Sequence, residues 1–591
     1  MSGTTELCTL YTPCGQELQA RLSRGEQVVP WEEDYPRPQL QRDSFLCLNG
    51  FWDFLEGSGE AWERILVPFP PESALSGIHR TMQPGKPLHY RTCFSLPEGF
   101  LHERVLLHLG AVDQIATVTL NGKTLGTHAG GYEGFSFDIT ELLQASNELL
   151  VDVIDLQDGG ALPYGKQRCR RGGMWYTPVS GIWQTVWLES VPQTYIADLR
   201  MQPMPDGIRL HVQMSDGTEA QGEVVVMTPD GEERFALADG LAELKPAAVR
   251  RWSPEDPYLY RFTLCCGEDT VQSYFAVRTL DVRAVDGVLR LCLNGEPYFF
   301  HGLLDQGYFP DGIFTPADPE CYTQDILAAK ALGFNMLRKH IKIEPACFYY
   351  ECDRLGMVVF QDMVNSGKYR FVRDTVLPTV GLKRMRDARA HRDPTTREGF
   401  LAGMRATVKA LYNHPCVCYW TVFNEGWGQF DSQSVQHVLR ELDDSRFIDT
   451  ASGWFDAGAQ SDVESLHVYF KPVKIKRASR PIVLSEFGGY SYAEPGHIFN
   501  PTRAYGYGKC NSREEFSERL SALYREQVLP AIGRGLCAAV YTQLTDVEDE
   551  INGLLTYDRC VCKIDAQQFG ELSRALCNAL GKGCAASEIN G

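Results

Sequence analysis

The chain has 591 residues, which predicts about three domains, and its 44% hydrophobic content is typical of globular rather than disordered proteins. Its 76 acidic and 57 basic residues give a net charge of −19 that is spread along the chain, which argues against binding to nucleic acid or to a membrane surface. The 19 cysteines are diluted through the chain and the N-terminus lacks a basic, apolar leader, so we expect a cytoplasmic protein with reduced thiols.

Short strand-like segments separated by turns fill residues 40 to 190. HYRTCFSL, RVLLHLGAV and ELLVDVIDL are rich in β-forming residues, and Asn121-Gly122 is a strong hairpin signal. This pattern predicts an all-β sandwich. Residues 191 to 282 continue it with segments such as GIRLHVQMS and YLYRFTLCC, which predict a second, smaller sandwich of about seven strands.

After residue 283, strand-like segments alternate with helical ones such as DPECYTQDILAAKALG. We count eight segments that are apolar on both faces: YFFHGLL, NMLRKH, MVVFQD, VCYWTVFNE, FIDTASG, ESLHVYF, IVLSEFGG and AAVYTQLTD. Strands that are buried on both faces are typical of a parallel barrel surrounded by helices. We therefore predict a C-terminal (β/α)8 barrel.

Two glutamates interrupt these apolar segments near their ends. Glu425 closes the fourth segment, in TVFNEGWGQFD, and Glu486 closes the seventh, in LSEFGG. The active site of such a barrel lies at the carboxyl ends of its strands, so both carboxylates are expected at one mouth. Cleavage of a glycosidic bond needs this arrangement, because one carboxyl protonates the departing oxygen while the other attacks the anomeric carbon or activates water.

Further polar and aromatic residues lie at the same predicted strand ends. Histidine, asparagine and aspartate can bind sugar hydroxyls, and tryptophan faces suit the apolar side of a sugar ring. A lone histidine or tyrosine here is more often a core residue, but their clustering at one rim favours a binding role. The candidates are Arg338, His340, Asp362, Asn424, Trp454, His467 and Tyr469.

Motifs along nearly the whole chain, from about residue 38 to 580, resemble glycoside hydrolase family 2, the group of β-galactosidases, β-glucuronidases and β-mannosidases. They are NGFWDF, SGIWQTVWLE, LRKHIKIEP, CDRLGMVVFQD, FNEGWGQFD and SEFGG. The resemblance implies a jelly-roll sugar-binding domain with an N-terminal extension (1–190), an immunoglobulin-like β-sandwich (191–282) and a catalytic (β/α)8 TIM barrel (283–591). It also implies catalysis without an organic cofactor, and a homo-oligomer, since such proteins often assemble as dimers or tetramers. No metal-ligand cluster stands out in the sequence, so a catalytic metal is not implied.

The resemblance assigns roles to individual residues. Glu425 matches the acid/base, and Asn424 before it matches the residue that holds the sugar 2-hydroxyl. Glu486 matches the nucleophile, and Tyr469 matches a tyrosine that hydrogen-bonds it. Arg338 and His340 match positions near the sugar. Such enzymes retain anomeric configuration, which predicts carboxyl groups about 5 to 5.5 Å apart.

Departures from the family pattern bear on the substrate. Gln543 stands where many β-galactosidases and β-glucuronidases have tryptophan, and Glu550-Ile551-Asn552 lies where β-glucuronidases have Asn-x-Lys to pair with the substrate carboxylate. An acidic residue there repels a uronate, so β-galactosidase ranks ahead of β-glucuronidase or another β-hexuronidase. Arg503 and Lys509, on the loop after the seventh strand, remain alternative carboxylate-binding residues.

The loop RCRRGGMWYTPVSG (168–181) is expected to reach from the first sandwich toward the barrel mouth, with Asp158 as a candidate sugar contact. The predicted substrate is an oligosaccharide or a small glycoside. A non-catalytic carbohydrate-binding protein on the same fold is the alternative from another class, and the presence of both glutamates argues against it.

Overall fold

The computed structural model describes residues 7–59, 61–377, 387–388, 390–453, 460–476 and 478–580. The first β-rich part contains two main sheets that pack face to face around a core containing Trp52, Phe54, Leu107 and Val151. One sheet orders the strands Leu46–Cys47, Val186–Val191, Arg104–Leu109 and Phe135–Asp138. The other orders Glu63–Val67, Gly50–Glu56, Leu88–Phe94, Asn147–Ile154, Ile115–Leu120 and Lys123–Ala129, and Val112–Asp113 pairs separately with Gly181–Ile182.

The predicted hairpin at Asn121-Gly122 is confirmed. It joins Ile115–Leu120 to Lys123–Ala129, which pair antiparallel. Asn121 has φ of 50° and Gly122 has φ of 78°, both in the left-handed region that a two-residue hairpin turn requires.

The second β-rich part has seven strands in two sheets, as the sequence predicts. Leu210, Val224, Phe262 and Phe275 belong to its core. Its sheets are formed by Ile196–Met204, Gly207–Met214 and Leu241–Leu244, and by Gly231–Leu237, Gly222–Thr228, Tyr260–Cys266 and Asp269–Phe275. A three-stranded sheet of Leu280–Val285, Val288–Leu293 and Glu296–Pro297 leads into the next part.

The C-terminal part is an eight-stranded parallel barrel, which confirms the predicted fold. Barrel strands 1 to 8 are Phe300–Asp305, Met336–Lys339, Val358–Asp362, Val417–Asn424, Phe447–Ser452, Glu464–Val468, Ile482–Gly488 and Leu536–Thr542. Neighbouring strands pair in parallel around the barrel. Strands 5 and 6 are the exception among the described residues, because they form no hydrogen-bonded ladder with each other, so the barrel is nearly closed. Every residue of strands 1 to 4 and 7 to 8 is buried, which explains why their sequences read as continuous apolar runs.

Helices surround the barrel strands. They are Glu320–Ala331, Ala346–Leu355, Pro394–Leu411, Ser432–Leu442, Arg513–Leu523, Leu529–Ile532 and Ala566–Asn578, with π-helical turns at Val372–Val376 and Tyr524–Val528. Outside the barrel lie the helix Pro13–Ser23, the 3-10 turns Ala74–Ser76, Thr140–Leu142 and Gln157–Gly159, and a short strand pair, Tyr490–Ser491 with Gly508–Lys509. Among the described helices, none is both long enough and apolar enough to cross a membrane.

Candidate active site

Glu425 and Glu486 meet at the mouth of the barrel. Glu425 directly follows barrel strand 4, and Glu486 lies in barrel strand 7. One carboxylate oxygen of each and a ring nitrogen of His467 all lie within 4.8 Å of one another. Both glutamates are buried, so ionising either carboxyl group costs free energy unless a neighbouring group compensates the charge.

The surroundings of Glu486 favour its ionised form. Arg338 Nη1 donates to Glu486 Oε1 at 3.0 Å, and the Tyr469 hydroxyl donates to Oε2. Burial alone raises the pKa of this carboxyl. The nearby His467 and Arg338, together with the Tyr469 hydrogen bond, outweigh burial and bring the pKa of Glu486 below its ordinary value.

The surroundings of Glu425 favour its protonated form. Burial raises the pKa of Glu425, and the charge of Glu486 raises it further. His467 Nδ1, which lies 2.8 Å from Glu425 Oε1, acts in the opposite direction without reversing the shift. The two carboxyl groups therefore have pKa values moved in opposite directions, so one can hold a proton while the other is ionised.

Arg338 organises the floor of the site. Its Nε donates to Asp362 Oδ1 at 2.9 Å, and its Nη2 donates to Asn424 Oδ1 at 2.9 Å. These bonds fix the Asn424 amide so that its Nδ2, which is buried, has no hydrogen-bond partner in the described part of the chain. An unpaired buried N–H at this position suits a sugar hydroxyl as acceptor.

His340 is held in one orientation by Asp362. The ring Nδ1 lies 2.7 Å from Asp362 Oδ2. Burial, followed by the charge of Lys166, lowers the pKa of His340 to about 4, so the ring is neutral at neutral pH. The Nδ1–H then donates to the carboxylate, and Nε2 is left as a hydrogen-bond acceptor.

The backbone after strand 4 takes an uncommon conformation. Glu425 has φ of 51°, in the left-handed region that non-glycine residues seldom adopt. Gly428 has φ of 67°, and a Cβ there would lie 2.3 Å from the Ser366 carbonyl oxygen. The glycine beyond Trp427 thus lets the loop pack closely against the residues after strand 3.

A loop of the first sandwich, residues 157–180, lies against the barrel mouth. It contains Trp175, whose ring centroid is 5.0 Å from that of Trp427, and Lys166, whose Nζ is 5.7 Å from the centroid of the Trp427 ring. Arg171 anchors the loop through Glu548 at 3.1 Å and Asp549 at 3.0 Å. The expectation that this loop reaches the mouth is thus met by observed contacts.

Three of the residues predicted to bind the sugar are not seen in contact with the glutamate pair in the part of the chain that the structure describes. Gln543 is buried after strand 8, where its Nε2 donates to Asn552 Oδ1 at 2.8 Å. Asp158 contacts Arg168 and Cys169 within its own loop, and no contact with either glutamate is observed in the described residues. Trp454 lies outside the described residues.

The two alternative cations, Arg503 and Lys509, are both exposed, whereas Lys166 is buried with its Nζ 5.7 Å from the centroid of the Trp427 ring. Glu550 is buried as well, and its two oxygens accept hydrogen bonds from the Tyr176 hydroxyl and from Asn552 Nδ2.

Sequence reasoning missed Lys166, Gln306 and Tyr507. Tyr507 stacks on Tyr469 with ring centroids 4.0 Å apart. Gln306 directly follows barrel strand 1, is buried, and has no partner for its amide atoms in the described part of the chain. Its position directly after a barrel strand could have identified Gln306 as a candidate site residue from the sequence. Lys166 and Tyr507 lie in long loops, where no periodic pattern indicates which residues turn inward.

Comparisons with known proteins agree with this architecture. Residues 289–528 match the model of the glycosyl hydrolases family 2 TIM barrel domain, and residues 79–165 match that of the glycosyl hydrolase 2 galactose-binding domain-like region. The chain belongs to glycoside hydrolase family 2.

Among related sequences, a β-galactosidase of Thermoanaerobacter pseudethanolicus is 24% identical over 70% of this chain and 54% of its own length. The chain spans between about a third and about half of the length of such curated relatives. The solved β-D-glucuronidase of Dictyoglomus thermophilum is 19% identical, with a TM-score of 0.70 over 91% of this chain and 98% of that one. A β-galacturonidase of Eisenbergiella tayi is 18% identical, with a TM-score of 0.66 over 90% and 97%. At these identities, the two structures establish the fold.

Proposed function

We propose that the protein is a retaining exo-β-glycosidase. The observation that carries the proposal is the pair Glu425 and Glu486, whose carboxylate oxygens lie within 4.8 Å and whose pKa values are shifted in opposite directions. Retaining enzymes have two carboxyl groups about 5 to 5.5 Å apart, whereas inverting enzymes need room for a water molecule between them.

In the proposed reaction, Glu486 attacks the anomeric carbon while Glu425 gives its proton to the departing oxygen. Water, deprotonated by Glu425, then displaces the sugar from Glu486. Asn424 Nδ2 donates to a sugar hydroxyl, which the family resemblance identifies as the 2-hydroxyl, and His340 Nε2 accepts from another. The sandwich loop at the barrel mouth supports removal of a single terminal sugar, because it limits how far a substrate extends past the pair.

We propose galactose as the terminal sugar. Neither Glu550 nor Asn552 supplies the cation that β-glucuronidases place after strand 8, and the T. pseudethanolicus relative is a β-galactosidase.

A β-hexuronide is the second candidate, and two observations favour it. The buried ammonium of Lys166 lies near the carboxyl pair, and Glu550 is engaged by Tyr176 and Asn552 instead of facing the site unpaired.

A panel of aryl β-glycosides tests both parts of the proposal. We expect turnover of the galactoside above that of the glucuronide and galacturonide, and turnover of only the uronides would replace galactose with hexuronate. Glu486→Gln should abolish hydrolysis of every substrate. Glu425→Gln should lower kcat/KM most for poor leaving groups, by about 100-fold or more, because only these need proton donation. A native protein that cleaves no glycoside would support a carbohydrate-binding role.

A further inference from the structure

Lys166 is a buried cation whose ammonium has no ion-pair partner among the described residues. Arg338, the other cation beside the carboxyl pair, contacts Asp362 at 2.9 Å and Glu486 at 3.0 Å. Burying an ammonium without a carboxylate is costly, so Lys166 calls for a negative charge that arises during the reaction or arrives with the substrate.

The position of Lys166 indicates which charge this is. Its Nζ lies 5.6 Å from the centroid of the Tyr176 ring and 5.7 Å from that of Trp427, the second residue after Glu425. The charge of Lys166 lowers the pKa of Glu425. Lys166 is thus the cation on the Glu425 side of the site, as Arg338 is on the Glu486 side.

The two chemical steps of the proposed function, on which this inference rests, move a negative charge from one glutamate to the other. In the first step a Glu486 oxygen bonds to the anomeric carbon, the bond to the departing oxygen breaks, and that oxygen takes the Glu425 proton. Glu486 is then a neutral ester and Glu425 is a carboxylate. In the second step water gives a proton to Glu425 as its oxygen bonds to the anomeric carbon, and Glu486 leaves as a carboxylate.

We propose that Lys166 is a positioning residue that stabilises the Glu425 carboxylate as it forms, and so promotes proton donation in the first step. While Glu486 is ionised, Arg338 balances it. Once Glu486 is esterified, the charge lies on Glu425 and Lys166 gains the partner that it lacks in the free protein. A fixed cation at the place where charge develops needs no reorganisation during the reaction.

Other ionisable groups also face Glu425. His467 Nδ1 lies 2.8 Å from Glu425 and 3.6 Å from Glu486, and it lowers the pKa of both carboxyl groups, so it does not distinguish one from the other. The remaining groups are Glu486, Tyr469, Tyr505 and Tyr507. Burial raises the pKa values of these tyrosines, so they stay neutral in the working pH range and Lys166 is left as the permanent charge that favours ionised Glu425.

The test is Lys166→Met, which removes the charge and keeps the length of the side chain. Aryl glycosides of the sugar that the native protein prefers separate the contributions, because a phenyl leaving group needs proton donation and a dinitrophenyl group does not. For the phenyl glycoside we expect kcat/KM to fall about 10- to 100-fold, less than the loss on removing a direct contact to a reacting oxygen. For the dinitrophenyl glycoside kcat/KM should stay within about threefold of the native value. The alkaline limb of kcat/KM should move up by about one pH unit, since Glu425 without the nearby cation keeps its proton to a higher pH.

Lys166→Arg, which keeps the charge, should retain more of kcat/KM for the phenyl glycoside, and Lys123→Met, at an exposed lysine of the same sandwich, should behave as the native protein. An unchanged kcat/KM for the phenyl glycoside would overturn the proposal. So would an equal fall for both leaving groups, or a loss confined to uronides, since both mean that Lys166 contacts the substrate. If native protein cleaves nothing or Glu486→Gln stays active, the glycosidase assignment itself fails, and the role of Lys166 fails with it.

Discussion

At the scale of single residues, burial and neighbouring charges give two identical side-chain types opposite properties. Glu425 and Glu486 are both buried, yet of these two carboxyl groups it is Glu486 that accepts hydrogen bonds from Arg338 and Tyr469. Burial alone raises both pKa values, so the difference comes from these neighbours. The two positions are predictable from the sequence because each interrupts an apolar segment near its end, although Glu486 lies within strand 7 instead of closing it. Which glutamate stays protonated depends on contacts between distant segments and, before the structure, rests on family resemblance alone.

The pH dependence of kcat/KM should reflect this difference. The proposed mechanism needs Glu486 ionised and Glu425 protonated. It should rise as pH climbs through the lowered pKa of Glu486, and fall as pH climbs through the raised pKa of Glu425. With a nitrophenyl glycoside, the plot of kcat/KM against pH should be bell-shaped. Its acid limb should lie below the ordinary pKa range of carboxyl groups and its alkaline limb above that range. Glu425→Gln should lose the alkaline limb, and an alkaline limb that persists would assign it to another group.

At the scale of elements, strands were predictable and loops were not. The barrel segments were recognisable because six of the eight strands are buried at every position, which favours apolar side chains on both faces. The sandwich loop has no such constraint. Asp158 is predicted as a sugar contact but pairs with Arg168 in its own loop, whereas Lys166, eight positions later, lies over the ring of Trp427. Contacts of this loop with the segment after strand 8 decide which side chains turn inward.

The anchor of the sandwich loop should affect binding and catalysis. Arg171 contacts the buried side chains of Glu548 and Asp549, and the same loop holds Lys166 and Trp175 at the mouth. In Arg171→Met the loop loses its charged contact to the barrel. A small displacement of positioned groups lowers rates strongly, so we expect kcat/KM to fall about 10- to 100-fold.

Arg170→Met is the matched control, because the neighbouring Arg170 is exposed. Its kcat/KM should stay within about twofold of the native value, as is usual for exposed sites without such features. Steady-state kinetics of both variants on the preferred aryl glycoside decide the matter. Equal activity in the two variants would mean that other contacts hold the loop.

At the scale of the whole molecule, buried arginines join parts that are distant in sequence. Arg278, just after the second sandwich, donates to the carbonyl oxygens of Pro415 and Val417 at the start of barrel strand 4. Arg42 joins the two sandwiches through Glu189 of the first and Asp269 of the second. Pattern and composition predict the order of the three parts, whereas these contacts depend on side chains that carry no local signal. The exact domain boundaries stay predictions.

The junction between the sandwiches should depend on Arg42. Its side chain is 4% exposed, and it contacts Glu189 at 3.0 Å and Asp269 at 2.6 Å. Arg42→Met leaves two buried carboxylates without this cation, and breaking a buried pair in this way costs about 3 to 5 kcal/mol. Arg37→Met is the control, since Arg37 also contacts Glu189 but is 32% exposed, and Arg42 still neutralises that carboxylate. Urea unfolding followed by circular dichroism should show a much lower midpoint for the Arg42 variant than for the Arg37 variant. Equal midpoints would mean that the junction is held by its apolar contacts instead of by this ion pair.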